Sequence, residues 1–185
     1  MKAHKRLTGA IFLIICHVFS ISAQQSAARQ PDVAYVPTNE KIVDAMLKLA
    51  KVAKGDTVYD LGCGDGRIVI TAAKEFGAIG IGIEINPQLV KLAEENARQA
   101  GVADRVRFVE ADLFKTNFSR ATIVMLYLSP GVNLKLRPQL LKQLKPGTRI
   151  VSHDFHMGDW KPEQTVKLEA ATLYFWTVPA KKPKP

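Results

Sequence analysis

Cysteine is scarce in this chain, at 2 of 185 residues, so no disulfide framework can staple the fold and a hydrophobic core has to hold it. Long apolar runs are scarce too. The one candidate, 7–21, is about 15 residues, short of the ~20 that cross a bilayer as a helix, and His17 interrupts it. Acidic side chains are missing before Asp32 and from the last five residues, whereas Lys2, Lys5, Arg6, Arg29, Lys181, Lys182 and Lys184 all fall there. The formal charge is +9, and setting those seven cations aside leaves the body at +2. The basicity therefore belongs to the ends, and a basic face for nucleic acid is not indicated. No internal repeat occurs. What is present is a 47% hydrophobic content, enough to fill one core in a chain of one-domain length.

The first 23 residues form a unit of their own. Basic residues from Met1 to Arg6 precede the apolar run, and the small residues Ser20, Ser22 and Ala23 lead to Gln24. That order reads as a secretory signal peptide cleaved after Ser22 or Ala23; an uncleaved membrane anchor and an organelle transit peptide stay open. Cys16 follows Ile14-Ile15 rather than small residues, which does not support a lipoprotein signal. The expected division is a targeting segment over 1–23, a linker over 24–34, a folded domain over 35–178 and a basic disordered tail over 179–185. Export or membrane association follows as the expected localisation, with a mitochondrial location or the cytoplasmic face of a membrane as alternatives.

Within the domain, apolar runs alternate with helix-period patterns, the signature of a parallel sheet covered by helices on both faces. Thr38 or Asn39 can cap a first helix, with Ile42, Met46 and Leu49 at i, i+4, i+7. Strands are expected at about 57–61, 79–84, 106–110, 123–128 and 148–153, and helices at about 66–76, 87–100 and 133–144. Pro87 suits a first helical position and Gly101 a helix end. Two alternating runs, 165–170 and 172–178, read as a closing hairpin.

The stretch Asp60-Leu61-Gly62-Cys63-Gly64-Asp65-Gly66-Arg67 carries the chemistry. An apolar strand runs into three glycines at alternate positions and then into a helix, which brings bare backbone and free N–H groups against a ligand. The third glycine of the dinucleotide fingerprint G-x-G-x-x-G would fall on Arg67. Asp60, two residues before the first glycine, would repel a pyrophosphate yet suits a cation carrying an ammonium and a sulfonium. S-adenosylmethionine is the expected cofactor.

These residues, together with Tyr35-Val36-Pro37-Thr38, Gly80-Ile81-Gly82-Ile83-Glu84, Val151-Ser152-His153-Asp154-Phe155 and Gly158-Asp159-Trp160, resemble a known family. The glycine loop looks like the first motif of the class I S-adenosylmethionine-dependent methyltransferases. The flanking segments are similar to a narrower group, the bacterial relatives of the mitochondrial lysine methyltransferases that modify the ATP synthase c subunit and the adenine nucleotide translocase. The likeness covers roughly residues 35–178. It implies an α/β, Rossmann-like fold with a seven-stranded sheet in the order 3-2-1-4-5-7-6, strand 7 antiparallel. It also implies Tyr35 and Thr38 folding over the methionine end of the cofactor, although their spacing equally suits a hydrophobic staple and a helix cap.

Ligands of open parallel sheets sit beyond the carboxyl ends of the strands, and the acids fall there. Asp60 ends the first strand; Glu84, 20 residues after Gly64, ends the second and can accept hydrogen bonds from ribose hydroxyls. Asp112 and Leu113 follow the third and can hold an adenine, although Asp112 alone also reads as a helix cap. With Gly62 and Gly64 these make up the expected cofactor site.

After the fourth strand the chain reads Tyr127-Leu128-Ser129-Pro130, without the Asn/Asp-Pro-Pro-aromatic turn of many amino-group methyltransferases. Tyr127 is the candidate for orienting an acceptor amine, with a core aromatic as the alternative. Asp154 is the candidate for positioning an incoming lysine. His153, Asp154 and His156 do not make a metal site on an unbroken strand, because the pleat sends His153 to the opposite face. Trp160 either walls the mouth or covers the sheet. Cys63, inside the loop, is better explained by packing than as a nucleophile. The expected reaction is methyl transfer to a protein lysine, with a membrane protein among the expected partners. A small-molecule or RNA methyltransferase and a non-catalytic cofactor-binding module are the alternatives.

Overall fold

A computed structural model describes residues 30–180. The apolar segment 7–21 and the basic tail lie outside the described residues, and with them the expected signal sequence. Strands β1 (Thr57–Leu61), β2 (Ile79–Glu84), β3 (Val106–Glu110), β4 (Ile123–Leu126) and β5 (Arg149–His153) alternate with helices α2 (Arg67–Phe76), α3 (Pro87–Gln99) and α4 (Pro130–Gln143). Helix α1 (Glu40–Leu49) precedes them, and β6 (Gln164–Leu168) with β7 (Ala171–Thr177) closes the chain. One seven-stranded sheet results, ordered β3-β2-β1-β4-β5-β7-β6. Strands β1 to β5 are parallel, and β7 runs antiparallel to both β5 and β6. The expected fold is the observed one.

Local chemistry fixes where the helices start. Asn39, rather than Thr38, caps α1 through a side-chain bond from the Lys41 N–H, and Asn86 caps α3 with Pro87 in its first turn. Helix α4 begins three residues earlier than the expected 133, and β4 stops two residues short of 128. The reason is Ser129-Pro130: the serine hydroxyl accepts from the Val132 N–H, and proline suits the first helical turn.

The core lies on both faces of the sheet. On one, Met46 and Leu47 of α1 and Val69 of α2 pack against Val58, Met125 and Val151; on the other, Leu136 and Leu140 of α4 pack with Leu126, Ile150 and Trp176. Each of these side chains is essentially without water, and full burial of one aliphatic side chain stabilises by about 1.5–3 kcal/mol. Trp160 covers the sheet: its carbonyl accepts from the Trp176 indole at 2.9 Å and the rings stand 6.0 Å apart. Strand order reverses between β1 and β4, so their carboxyl ends part and leave a crevice.

Candidate active site

The loop leaving β1 turns three times through the left-handed region, at Gly62, Gly64 and Gly66. Only glycine does this without strain. At Gly64 a side chain is excluded twice over, since a Cβ would stand 2.4 Å from the Tyr35 ring. The loop is held from below by Glu84, whose carboxylate accepts from the Gly64 N–H at 3.0 Å and from the Ile85 and Asn86 N–H groups at 2.8 and 2.9 Å. Cys63 packs against Gly82, where a Cβ would lie 2.5 Å from its sulfur. Burial, with the nearby Asp60 and Glu84 carboxylates, pushes its thiol well up, which makes it a poor nucleophile.

Arg67 ties this loop to the segment ahead of α1. Its guanidinium forks onto the Asp65 carboxylate at 2.6–3.1 Å and donates to the Thr38 carbonyl at 2.7 Å. Burial raises the Asp65 pKa, but the Arg67 hydrogen bonds and charge outweigh it and hold this carboxyl below its usual range. Burial and the Asp65 carboxylate in turn push the Tyr35 hydroxyl upward. Sequence reasoning missed this clasp. The signal was available, because an arginine two residues after an aspartate, at a position where glycine would be usual for a nucleotide loop, calls for a partner.

A cavity of about 370 Å³ opens above the crevice, within the roughly 300–1,000 Å³ of small-molecule sites. Asp60, Gly62, Gly64 and Glu84 form its floor, Asp112 and Leu113 one end, and Tyr35 and Thr38 one wall. Pro31 to Ala34, expected to be linker, line that wall as well. Asp112 also caps a short 3-10 turn, Leu113–Lys115, through the Phe114 N–H, so the cap and the lining position coexist in one residue. Tyr127 and Leu128, just beyond β4, line the cavity as well, with Leu128 close against Gly62.

Asp154 is not brought to the cavity. Its backbone is left-handed, at φ 60°, which ends β5 and breaks the pleat. Its carboxylate accepts from the Thr172 N–H at 2.8 Å and stands 3.4 Å from His153 Nε2. His156 takes the Gly158 N–H on its Nδ1. The His153 ring lies behind Tyr127, centroids 3.8 Å apart and planes within 25°. This pairing could not be read from the sequence, since the expected adjacency of β4 and β5 does not say that the two rings at their ends turn face to face.

The residues present fit S-adenosylmethionine. Asp60 is 3% exposed, and burial, with Glu84 and Asp65 nearby, pushes its pKa up to about 8. Among the described residues nothing donates to it. A buried carboxyl in that state is short of a cation. Asp60 would hold the cofactor's ammonium and Glu84, already oriented by three backbone N–H groups, its ribose hydroxyls; the sulfonium would supply the methyl group, with a neutral thioether as leaving group.

Comparison with known proteins agrees. The ANTKMT methyltransferase domain family matches residues 60–164. A protein-lysine N-methyltransferase of Saccharolobus islandicus is 46% identical over 153 residues, 80% of this chain and 95% of that one. The Mus musculus lysine N-methyltransferase named for the ATP synthase c subunit is 30% identical over 178 residues, 95% of this chain and 71% of the mouse protein. Among solved structures, an RNA methyltransferase from Salinibacter ruber in complex with S-adenosylhomocysteine superposes with a TM-score of 0.79 at 58% identity, over 81% of this chain and 98% of that one. The buried acid, the glycine turn and the sequence relationships thus converge: the chain belongs to the ANTKMT methyltransferase domain family and is an S-adenosylmethionine-dependent methyltransferase.

Proposed function

We propose that this methyltransferase acts on the side-chain amine of a protein lysine. The observation that carries the reading is the 46% identity, across nearly the whole of both domains, to a protein-lysine N-methyltransferase, with mouse enzymes named for the ATP synthase c subunit and the adenine nucleotide translocase at 30% and 33% identity. The chemistry is compatible. A lysine must shed its proton before it can attack, at a cost of about 4–5 kcal/mol at pH 7. An apolar and aromatic cavity end such as Tyr127-Leu128 lowers that cost by disfavouring the ammonium. Tyr127 orients the amine in this reading, and Asp154 acts from outside the cavity wall.

The name of the Salinibacter ruber neighbour, at 58% identity, favours a second reading, methylation of RNA. Against it stands the charge balance, since setting aside the seven cations at the two ends of the sequence leaves the rest of the chain at only +2. Incubation with methyl-labelled cofactor and separated protein, RNA and metabolite fractions decides between them. Label in protein, recovered as methyl-lysine after hydrolysis, is the expected result; label in RNA alone sinks the lysine reading.

The basic, apolar, small-residue order of the first 23 residues supports export or attachment to a membrane. Among the described residues no helix is long and apolar enough to cross one. Fractionation of cells carrying the full chain tests the proposal, with recovery in the membrane or beyond as the expected result and an intact, freely soluble cytosolic chain as the contrary one.

A further inference from the structure

The geometry points to His153 as a positioning residue of the acceptor side: set beside the Asp154 carboxylate, it fixes the plane of the Tyr127 ring that walls the cavity. The inference deepens the amine-transfer reading and rests on it.

Three observations carry it. His153 is 5% exposed and stacks on Tyr127 at 3.8 Å between centroids, while Phe155 lies nearly parallel to Tyr127 at 6.3 Å. Tyr127 is thus a wall residue whose ring is set by its neighbours rather than by the cavity. Second, Asp154 takes a left-handed backbone, φ 60°, that is uncommon for any side chain but glycine. That conformation is pinned by two bonds to Thr172, one from its N–H to the Asp154 carboxylate at 2.8 Å and one from the Asp154 N–H to its carbonyl at 2.7 Å. It brings the carboxylate to 3.4 Å from His153 Nε2, a contact that favours a proton on that nitrogen.

Third, the other ring nitrogen, Nδ1, is buried with no partner among the described residues. A lone pair stranded in this way costs stability, and a phenylalanine would stack on Tyr127 without that cost. An imidazole at this position is therefore not explained by packing. What it has and phenylalanine lacks is a polar Nε2 edge 3.4 Å from the Asp154 carboxylate, an electrostatic attraction that favours one orientation of the ring. The path from Thr172 through Asp154 and His153 to Tyr127 accounts for Asp154 without placing it in the cavity.

The test uses protein labelled with 3-fluorotyrosine, whose four tyrosines give separable fluorine resonances, Tyr127 being assigned with Tyr127→Phe. In His153→Ala the Tyr127 resonance is expected to shift and broaden, S-adenosylhomocysteine affinity to stay within about twofold, and turnover to fall by about tenfold or more, because misaligned reactants lose rate steeply. His153→Phe is expected to melt at or above the wild-type temperature and still turn over at least about fivefold more slowly. Wild-type turnover in His153→Phe, or an unmoved Tyr127 resonance in His153→Ala, would overturn the proposal. Should the wild type methylate something other than lysine, the lysine reading fails by itself, while the fluorine spectrum and the rate on that acceptor still decide what His153 does.

Discussion

Asp60 is the buried acid of the cavity lining, and its protonation is expected to link pH to stability and to cofactor affinity. In the fold, burial and the neighbouring Glu84 and Asp65 carboxylates push its pKa up to about 8, against ~3.9 in an unfolded chain. The folded state therefore holds a proton that the unfolded state releases. This group's contribution to stability declines as pH rises from about 4 to about 8, and is level beyond. Asp60→Asn should flatten that decline in thermal melts of the cofactor-free protein while weakening cofactor binding. A cation beside Asp60 restores its charge, so calorimetry at about pH 6 in buffers of different ionisation enthalpy should find close to one proton released per cofactor bound in the wild type and almost none in Asp60→Asn. Glu84→Ala should weaken S-adenosylhomocysteine binding by about 1.5–3 kcal/mol, read as a dissociation constant with the fold verified by circular dichroism. An unchanged constant would remove Glu84 from the ribose position. The acids were legible in the sequence because each ends a strand or follows one, where the register of a parallel sheet is simple. The His153–Tyr127 stack was not, since adjacency of two strands does not say how the rings at their ends will turn.

Among the elements, the segment ahead of α1 is joined to the glycine loop by one side chain, with Val33 packing on the core beside it. Arg67 joins Thr38 and Asp65 across 29 and 2 residues respectively, and Tyr35 covers Gly64 beside it. Arg67→Ala should loosen residues 33–38, seen as faster amide exchange there, and lower cofactor affinity by about tenfold, ~1.4 kcal/mol. Lysine at this position should not restore it, because an ammonium cannot fork onto Asp65 and reach the Thr38 carbonyl together. Equal exchange in wild type and Arg67→Ala would show the clasp to be idle. Helix starts follow from short polar signals: Asn86-Pro87 announces its helix openly, whereas Ser129-Pro130 carries the same information but is masked by the apolar pattern beyond it. Propensity locates an element's middle; the cap locates its end.

For the whole molecule, strand identity and alternation were readable from apolar runs, but the sheet order came from family likeness, because nothing in a strand's own composition says which neighbour it will pair with. Stability is concentrated in the two layers flanking the sheet. Leu136→Ala, fully buried in the α4 layer, should cost about 2–5 kcal/mol and lower the melting temperature by about 5–15 °C. Cofactor affinity below the transition should be nearly unchanged; a large loss of affinity would mean that the layer and the cavity are mechanically one. The cavity also has a covalent tie to the far end of the chain. One of its walls, Pro31 to Thr38, is the direct continuation of the first 29 residues. A partner that took hold of those residues would have leverage on the cofactor's enclosure: a pull would be borne by the Arg67 guanidinium together with the Val33 packing and the Tyr35 ring over Gly64, so a tether there would also act as a latch on its occupancy.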